Sequence, residues 1–311
     1  MARPRVLIVG ASGFLGANLA LAARHDHDVV AHSSSTPVTA DGLTSLVADL
    51  APVAAGRDLV LEAGADLVVN CAALADVDAC EHDPDRARRL NADLAGELAE
   101  GCRARGSRLI HISSDAVFGQ GAPPFLTTSA PSPVNEYGRS KLEGERQVLA
   151  ALPSALVART NIVGWSPTGR RSLLEFFHDR LAAGTSVSGF TDVTFRPVAA
   201  SDLWSVLTAV LATGHTGLWH ATGRDLLSKF DFGVQVAATF GFPAELVEPS
   251  TVAAAGLAAA RANELDVRPS GQDDPRLSTS ISEGLVRLRA LEASGYRRQL
   301  ASLIEQEATT P

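Results

Sequence analysis

A chain of 311 residues with 46% hydrophobic and 20% charged content can bury a sizeable core, as one large domain or two modest ones, and belongs with soluble globular proteins. Its formal net charge of −8 argues against bulk attraction to nucleic acid or an anionic membrane, and no apolar run approaches the length of a membrane helix. Three cysteines (Cys71, Cys80, Cys102) are odd in number and follow no metal spacing, so they read as reduced thiols of a cytoplasmic protein without a metal centre. The opening Met-Ala-Arg-Pro-Arg runs straight into a short apolar strand, not a signal peptide.

In chain order, Val6–Val9 reads as a buried strand and Ala17–Arg24, rich in Ala and Leu, as a helix. Val29–Ala31, Leu67–Asn70, Leu109–Ile112 and Ala155–Arg159 are further strands. Pro52–Ala63, Pro84–Arg105 and Glu136–Leu152 are the helices between them. Strands alternating with helices predict an α/β fold with a doubly wound parallel sheet, whose ligand lies at the carboxyl ends of the strands. After Arg159 the pattern loosens. Trp165 to Arg171 is a loop signal; Leu173–Ala183, Asp202–Ala212, Phe230–Phe240, Thr251–Ala262 and Ser282–Ala293 read as helices, and Leu218–Ala221 as a strand. Residues 1–160 are expected to form the nucleotide-binding domain and 161–311 mostly a smaller substrate lobe, with the chain crossing back around 190–225.

Between the first strand and helix stands Gly10-Ala-Ser-Gly13-Phe-Leu-Gly16. A glycine turn here lets the backbone approach a pyrophosphate at the helix N-terminus, which makes Gly10, Ser12, Gly13, Phe14, Leu15 and Gly16 cofactor candidates. The next strand leads to His32-Ser33-Ser34-Ser-Thr36, with no acid to bind a ribose 2′-hydroxyl, which favours NADP(H) over NAD(H). Asp49 and Leu50 stand where adenine would be held, and Cys71, Ala72 and Ala73 leave room for close approach after Asn70.

The chemistry is expected from two stretches. Ile110-His-Ile-Ser-Ser114-Asp115 is a strand ending in hydroxyls and a carboxylate, and Asn135-Glu-Tyr137-Gly-Arg-Ser-Lys141 places a Tyr and a Lys on one helical face. The chain has only two tyrosines and two lysines, which makes this offset specific. An ammonium beside a phenol lowers the phenol pKa. Ser114 would hydrogen-bond a substrate carbonyl, Tyr137 would protonate it as hydride arrives, and Lys141 would hold the nicotinamide ribose. Asp115 reads equally as a ligand for a substrate hydroxyl or as a cap of the following turn. His111, inside a strand, reads as a packed residue.

These stretches, with Val69–Glu81, His111–Gly119 and Tyr137–Glu145, resemble the extended short-chain dehydrogenase/reductase superfamily, and within it the dTDP-4-dehydrorhamnose reductase family of nucleotide-sugar reductases. The resemblance spans most of the chain and thins after Arg171. It implies a Rossmann domain with a small substrate lobe, catalytic roles for Ser114, Tyr137 and Lys141, and a nucleotide sugar or a similar ketone as substrate. Ser114 replaces the family's usual threonine. Ala116 stands where a tyrosine is common near the sugar, which leaves the hexose open. Arg196, Arg261, Arg268 and Arg276 are candidates to grip a diphosphate, with Arg196 and Arg268 foremost beside Asp115 as substrate residues. Trp165, Phe190 and Trp219 read as core rather than stacking platforms. The C-terminal helices could present a homodimer face or lie on their own core. An epimerase or dehydratase recycling NAD internally, or a non-catalytic cofactor-binding subunit, are the competing functions.

Overall fold

The computed structural model describes residues 3–119, 121–169, 172–256 and 264–304. Strands β1 (Arg5–Val9), β2 (Asp28–Ser33), β3 (Leu43–Val47), β4 (Leu67–Asn70), β5 (Arg108–Ser114) and β6 (Leu156–Thr160) join the Gly217–His220 strand in one seven-stranded sheet. The spatial order is Gly217–His220, β6, β5, β4, β1, β2, β3, and every pairing is parallel.

Side chains along β1 alternate between two cores. Val6 and Ile8 enter one with helix α1 (Phe14–Ala23) and the Ala200–Ala212 helix; Leu7 and Val9 enter the other with helix α2 (Ala55–Ala63) and the Leu94–Arg105 helix. Burial on both faces explains why these strands read as unbroken apolar runs. The strand order reverses between β1 and β4, where a doubly wound sheet opens its ligand crevice. Register brings the strand ends level there: Val9 pairs with both His32 and Asn70, and Asn70 with His111.

Several elements differ from expectation. β3 escaped the sequence reading because it is an edge strand with only Leu43, Leu46 and Val47 apolar and its residues half-buried or exposed. The helix expected over Pro84–Arg105 is broken by a π-turn at Arg89–Asp93. α2 begins at Ala55, three residues late, because Ala54 adopts a left-handed conformation with φ 67°. The helix expected over Thr251–Ala262 spans Val252–Ala255 before a left-handed Gly256; its remainder, with Arg261, lies outside the described residues.

The second half adds short strand pairs: Val187–Phe190 with Val247–Ser250, Thr194–Phe195 with Leu227–Ser228, and Ile162–Val163 with Val198–Ala199. Each is too short for periodicity to reveal. The Ile281–Ala293 helix buries Ile281, Leu285 and Leu288 in the larger core, so its apolar stripe is spent on its own chain. Tyr296 donates to Asn18 on α1 at 3.1 Å, fastening the end of the chain beside the glycine turn. Among the described residues, no helix is long and apolar enough to cross a membrane, and no cluster of His, Cys, Asp and Glu could hold a metal ion.

Candidate active site

The glycine turn is built by close backbone approach. Gly10 has φ +80°, and a Cβ on it would meet Ala72 N at 2.9 Å; a Cβ on Gly16 would meet Gly10 O at 2.2 Å. Gly13 caps α1 in an extended conformation without a side-chain hydrogen bond, and no acid lies in the first turn, so the N-terminal amides and their dipole face an anion unopposed.

Beside this turn opens a cavity of about 580 Å³ lined by Gly10, Ser12, Gly13, Phe14, His32, Ser34, Asp49, Leu50, Cys71, Ala72 and Ala73. Ala51, Leu74, Arg86, Arg89, Leu90, Leu94, Pro167 and Thr168 complete it. These residues fit a dinucleotide: the glycine turn offers backbone amides to a pyrophosphate, and Leu50, Ala72, Ala73, Leu74, Leu90 and Leu94 give apolar walls. Most of the expected cofactor residues therefore converge. Leu15 and Gly16 are not on the lining; Leu15 is in the core, and Gly16 acts by letting α1 close on the turn. Ser33 is buried away from the cavity and donates to Thr36 O. His32 is on the lining, yet its ring is occupied by the backbone: Nδ1 accepts from Gly10 N at 3.4 Å and Nε2 lies 2.9 Å from Ala48 O. Burial lowers its pKa, so the neutral ring ties β2 to the glycine turn and to the end of β3. Arg89 was missed because it sits in the expected helix; the π-turn aims it back to donate to the carbonyls of Leu50, Ala51 and Pro52.

The helix Glu136–Ala151, which carries Tyr137 and Lys141, is capped by Asn135, whose side chain accepts from Gly138 N at 2.8 Å. Two glycines let it press against its neighbours. A Cβ on Gly138 would meet Ala116 O at 2.2 Å, and one on Gly144 would meet Asn91 O at 2.2 Å. Tyr137 thus shares a hydrogen bond with Ser114 at the end of β5, and Lys141 Nζ donates to Ile112 O at 2.7 Å. Asn91, on the π-turn, donates to Leu74 O at 3.0 Å and to Ser140 Oγ at 2.9 Å while accepting from Leu74 N at 2.8 Å. It joins the cavity wall to the Glu136–Ala151 helix, and no periodicity signals it in the sequence.

The expectation that Lys141 depresses the Tyr137 pKa is not met in this structure. Burial, chiefly, pushes the phenol up to about 12, with Asp115 and Cys80 adding and the Ser114 hydrogen bond opposing. The Lys141 ammonium is spent on the Ile112 carbonyl, and burial brings its own pKa down to about 8. A neutral phenol at pH 7 is a proton donor.

Asp115 is buried, accepting from Asn161 Nδ2 at 2.6 Å and from Ser114 Oγ at 3.1 Å. Burial raises its pKa, and Lys229 from the second half of the chain opposes that rise. Lys229 was missed; its one signal was being the other lysine in an arginine-rich chain. The cap of the turn falls to Ser114 Oγ, which accepts from Ala116 N at 3.1 Å.

The arginines fare less well. Arg196 is consumed by an ion pair with Asp266 at 2.5 Å and a hydrogen bond to Arg224 O, so it is not available to grip a diphosphate. Arg276 pairs with Asp274 in an exposed turn. Arg268 is exposed and follows Val267, which packs with Val117 and Phe118 after the end of β5. Trp165 is fully buried with its indole donating to Leu288 O at 2.9 Å, and Trp219 is core. His111 is buried against Asn70 Nδ2 at 3.1 Å, and burial sends its pKa well down.

A parallel sheet with this turn at its switch point, and a serine, tyrosine and lysine at the next strand end, define an extended short-chain dehydrogenase/reductase. The model of the RmlD substrate binding domain matches residues 4–269. A probable low-salt glycan biosynthesis reductase, Agl14, of Haloferax volcanii is 34% identical over 82% of this chain and 86% of its own. The dTDP-4-dehydrorhamnose reductase of Mycolicibacterium smegmatis is 38% identical over 79% of this chain and 72% of its own. The fold matches the crystal structure of the Bacillus anthracis dTDP-4-dehydrorhamnose reductase in complex with NADP, with a TM-score of 0.81 at 24% identity over 92% of this chain and 98% of that one. The chain belongs to the RmlD-like family of the extended short-chain dehydrogenases/reductases.

Proposed function

We propose that this chain is an NADPH-dependent reductase of a keto group on a nucleotide-activated deoxysugar. The observation that carries the reading is the convergence of Ser114, Tyr137 and Lys141 at the end of β5, where the Lys141 charge acts on Cys71 of the glycine-turn cavity. Bound in that cavity, a nicotinamide would supply the hydride. Ser114 Oγ orients the ketone oxygen, and the Tyr137 hydroxyl gives it the proton that completes the alcohol. Lys141 keeps its bond to the Ile112 carbonyl and offers its remaining N–H donors to the ribose. Asp115 and Lys229 face the sugar from the two halves of the chain, and among the described residues Arg268 is the arginine candidate left for the diphosphate. Residues 1–160 with the crossing at 190–225 hold the cofactor, and most of 161–311 holds the substrate. NADPH is preferred over NADH because no acid follows β2 and Ser34, with Arg86, lines the cavity.

Three unpaired cysteines suit the cytoplasm. A homodimer is a matter for light scattering; the buried stripe of the Ile281–Ala293 helix does not argue for it. The assembled donor set favours turnover over a purely regulatory role.

The test is spectrophotometric oxidation of NADPH and NADH, side by side, with dTDP-4-keto-6-deoxyhexose. Oxidation faster with NADPH is expected; binding of cofactor without oxidation would overturn the reading. The pH profile adds a second expectation. The Lys141 ammonium is present below its pKa of about 8 and lost above it, so kcat/KM is expected to be level toward neutrality and to fall on the alkaline side. A kcat/KM that climbs through that range would remove Lys141 from the mechanism.

A further inference from the structure

Behind the catalytic helix runs a buried polar row that the reaction as described does not use. Glu145 lies one turn beyond Lys141 and two beyond Tyr137, on the same helical face. Its carboxylate accepts from Ser113 Oγ at 2.6 Å, from Arg159 Nε at 2.8 Å and from the terminal nitrogen of Arg159 at 2.7 Å. Both members of the pair are almost fully buried, with side-chain exposures of 3% for Glu145 and 1% for Arg159. Arg159 stacks on Phe118 with its guanidinium carbon 5.0 Å from the ring centroid, and its other terminal nitrogen lies 3.5 Å from His220 Nε2. Burial brings His220 down to about 4, so the ring is neutral; its Nδ1 donates to Arg268 O at 3.0 Å, leaving Nε2 to accept from Arg159.

We propose that Glu145, clamped by Arg159, is a positioning residue of the reaction: it docks the catalytic helix on the end of β5 beside Ser114 and holds the Lys141 ammonium in its buried seat. The inference rests on the reading of Lys141 as a working cation. Three successive turns of one helix face meet three successive residues of one strand end: Tyr137 meets Ser114, Glu145 meets Ser113, and Lys141 meets Ile112 O. The surroundings of Lys141 single out Glu145 as its counter-charge. The facing thiols are neutral, since burial pushes Cys71 up to about 12 and Cys80 up to about 11. His111 on β5 is neutral for the same reason, and the Tyr137 phenol is protonated. Glu145 is the largest influence opposing the loss of charge that burial imposes on Lys141.

An ion pair that only braces the helix away from the ammonium would leave the Lys141 titration unchanged; a carboxylate that serves as the counter-charge of Lys141 must shift it. With only two lysines in the chain, lysine carrying ¹³C at Cε gives two side-chain signals by NMR, and Lys229→Arg assigns them. The wild-type Lys141 midpoint is expected near 8. Glu145→Gln is expected to lower it by at least about one unit. Glu145→Gln leaves the buried Arg159 cation unpaired and can unfold the chain, so the paired variant Glu145→Gln/Arg159→Met, which removes both charges, is titrated alongside, with a downward shift expected again. NADPH affinity is expected to fall off at correspondingly lower pH in either variant. An unchanged Lys141 midpoint in a folded variant would overturn the proposal. The titration needs neither cofactor nor keto-sugar. A failed reductase assay therefore leaves this result standing, and an unchanged midpoint leaves the reductase reading standing.

Discussion

Tyr137→Phe is expected to lower keto-sugar reduction by at least ~100-fold, the scale of a lost general acid, with NADPH affinity nearly unchanged. The substitution removes one oxygen from a ring that is already seated. The ring stays where Gly138 lets the helix press on the Ala116 carbonyl, and Asn135 still caps the helix. What goes is the hydroxyl that shares a hydrogen bond with Ser114 and holds its proton at neutral pH. The loss should fall on kcat, because the proton is transferred only as the alkoxide forms. Measuring kcat/KM alongside NADPH fluorescence separates the two effects. A variant that keeps more than a tenth of the wild-type kcat would place the proton donor elsewhere.

The second large effect is expected at the other end of the cavity. Gly16→Ala adds one methyl group, which would sit 2.2 Å from Gly10 O and 2.9 Å from Ala11 Cα. Both neighbours are backbone in a turn already fixed by Ala11 N donating to His32 O at 2.7 Å. Overpacking of this kind costs about 1–3 kcal/mol and here can be relieved only by lifting α1 off the turn. The helix N-terminus then leaves its place opposite the pyrophosphate. NADPH binding is expected to weaken at least ~10-fold, about 1.4 kcal/mol, together with a lower melting temperature. Titration calorimetry and a thermal melt check this; wild-type affinity in the variant would mean that the turn does not hold the cofactor.

Much of this architecture was legible because it is local. The glycine turn, the strand ending in Ser114 and the Tyr137–Lys141 spacing each fall within a few residues, and the parallel sheet follows from alternation of buried strands and helices. What could not be read depends on departures from regular structure or on distant pairing. Arg89 and Asn91 reach the site through a π-turn inside an apparently continuous helix. Arg196 looked like a free cation, and only the fold reveals Asp266 beside it, 70 residues on. The Lys229 charge acts on Asp115 across the two halves of the chain. The Tyr137 pKa went the opposite way from expectation because burial, which helical spacing does not reveal, raises it, while the Lys141 ammonium is held by the Ile112 carbonyl.

The measurement that tests the central claim most directly is a single turnover with NADPH carrying deuterium at the transferable nicotinamide position and dTDP-4-keto-6-deoxyhexose, with the product examined by mass spectrometry. A product one mass unit heavier than with unlabelled NADPH, formed together with an equal amount of NADP⁺, is the expected result. Product formed without net NADP⁺, or bound cofactor with no product, would contradict a reductase and point to internally recycled redox chemistry or to a cofactor-binding subunit.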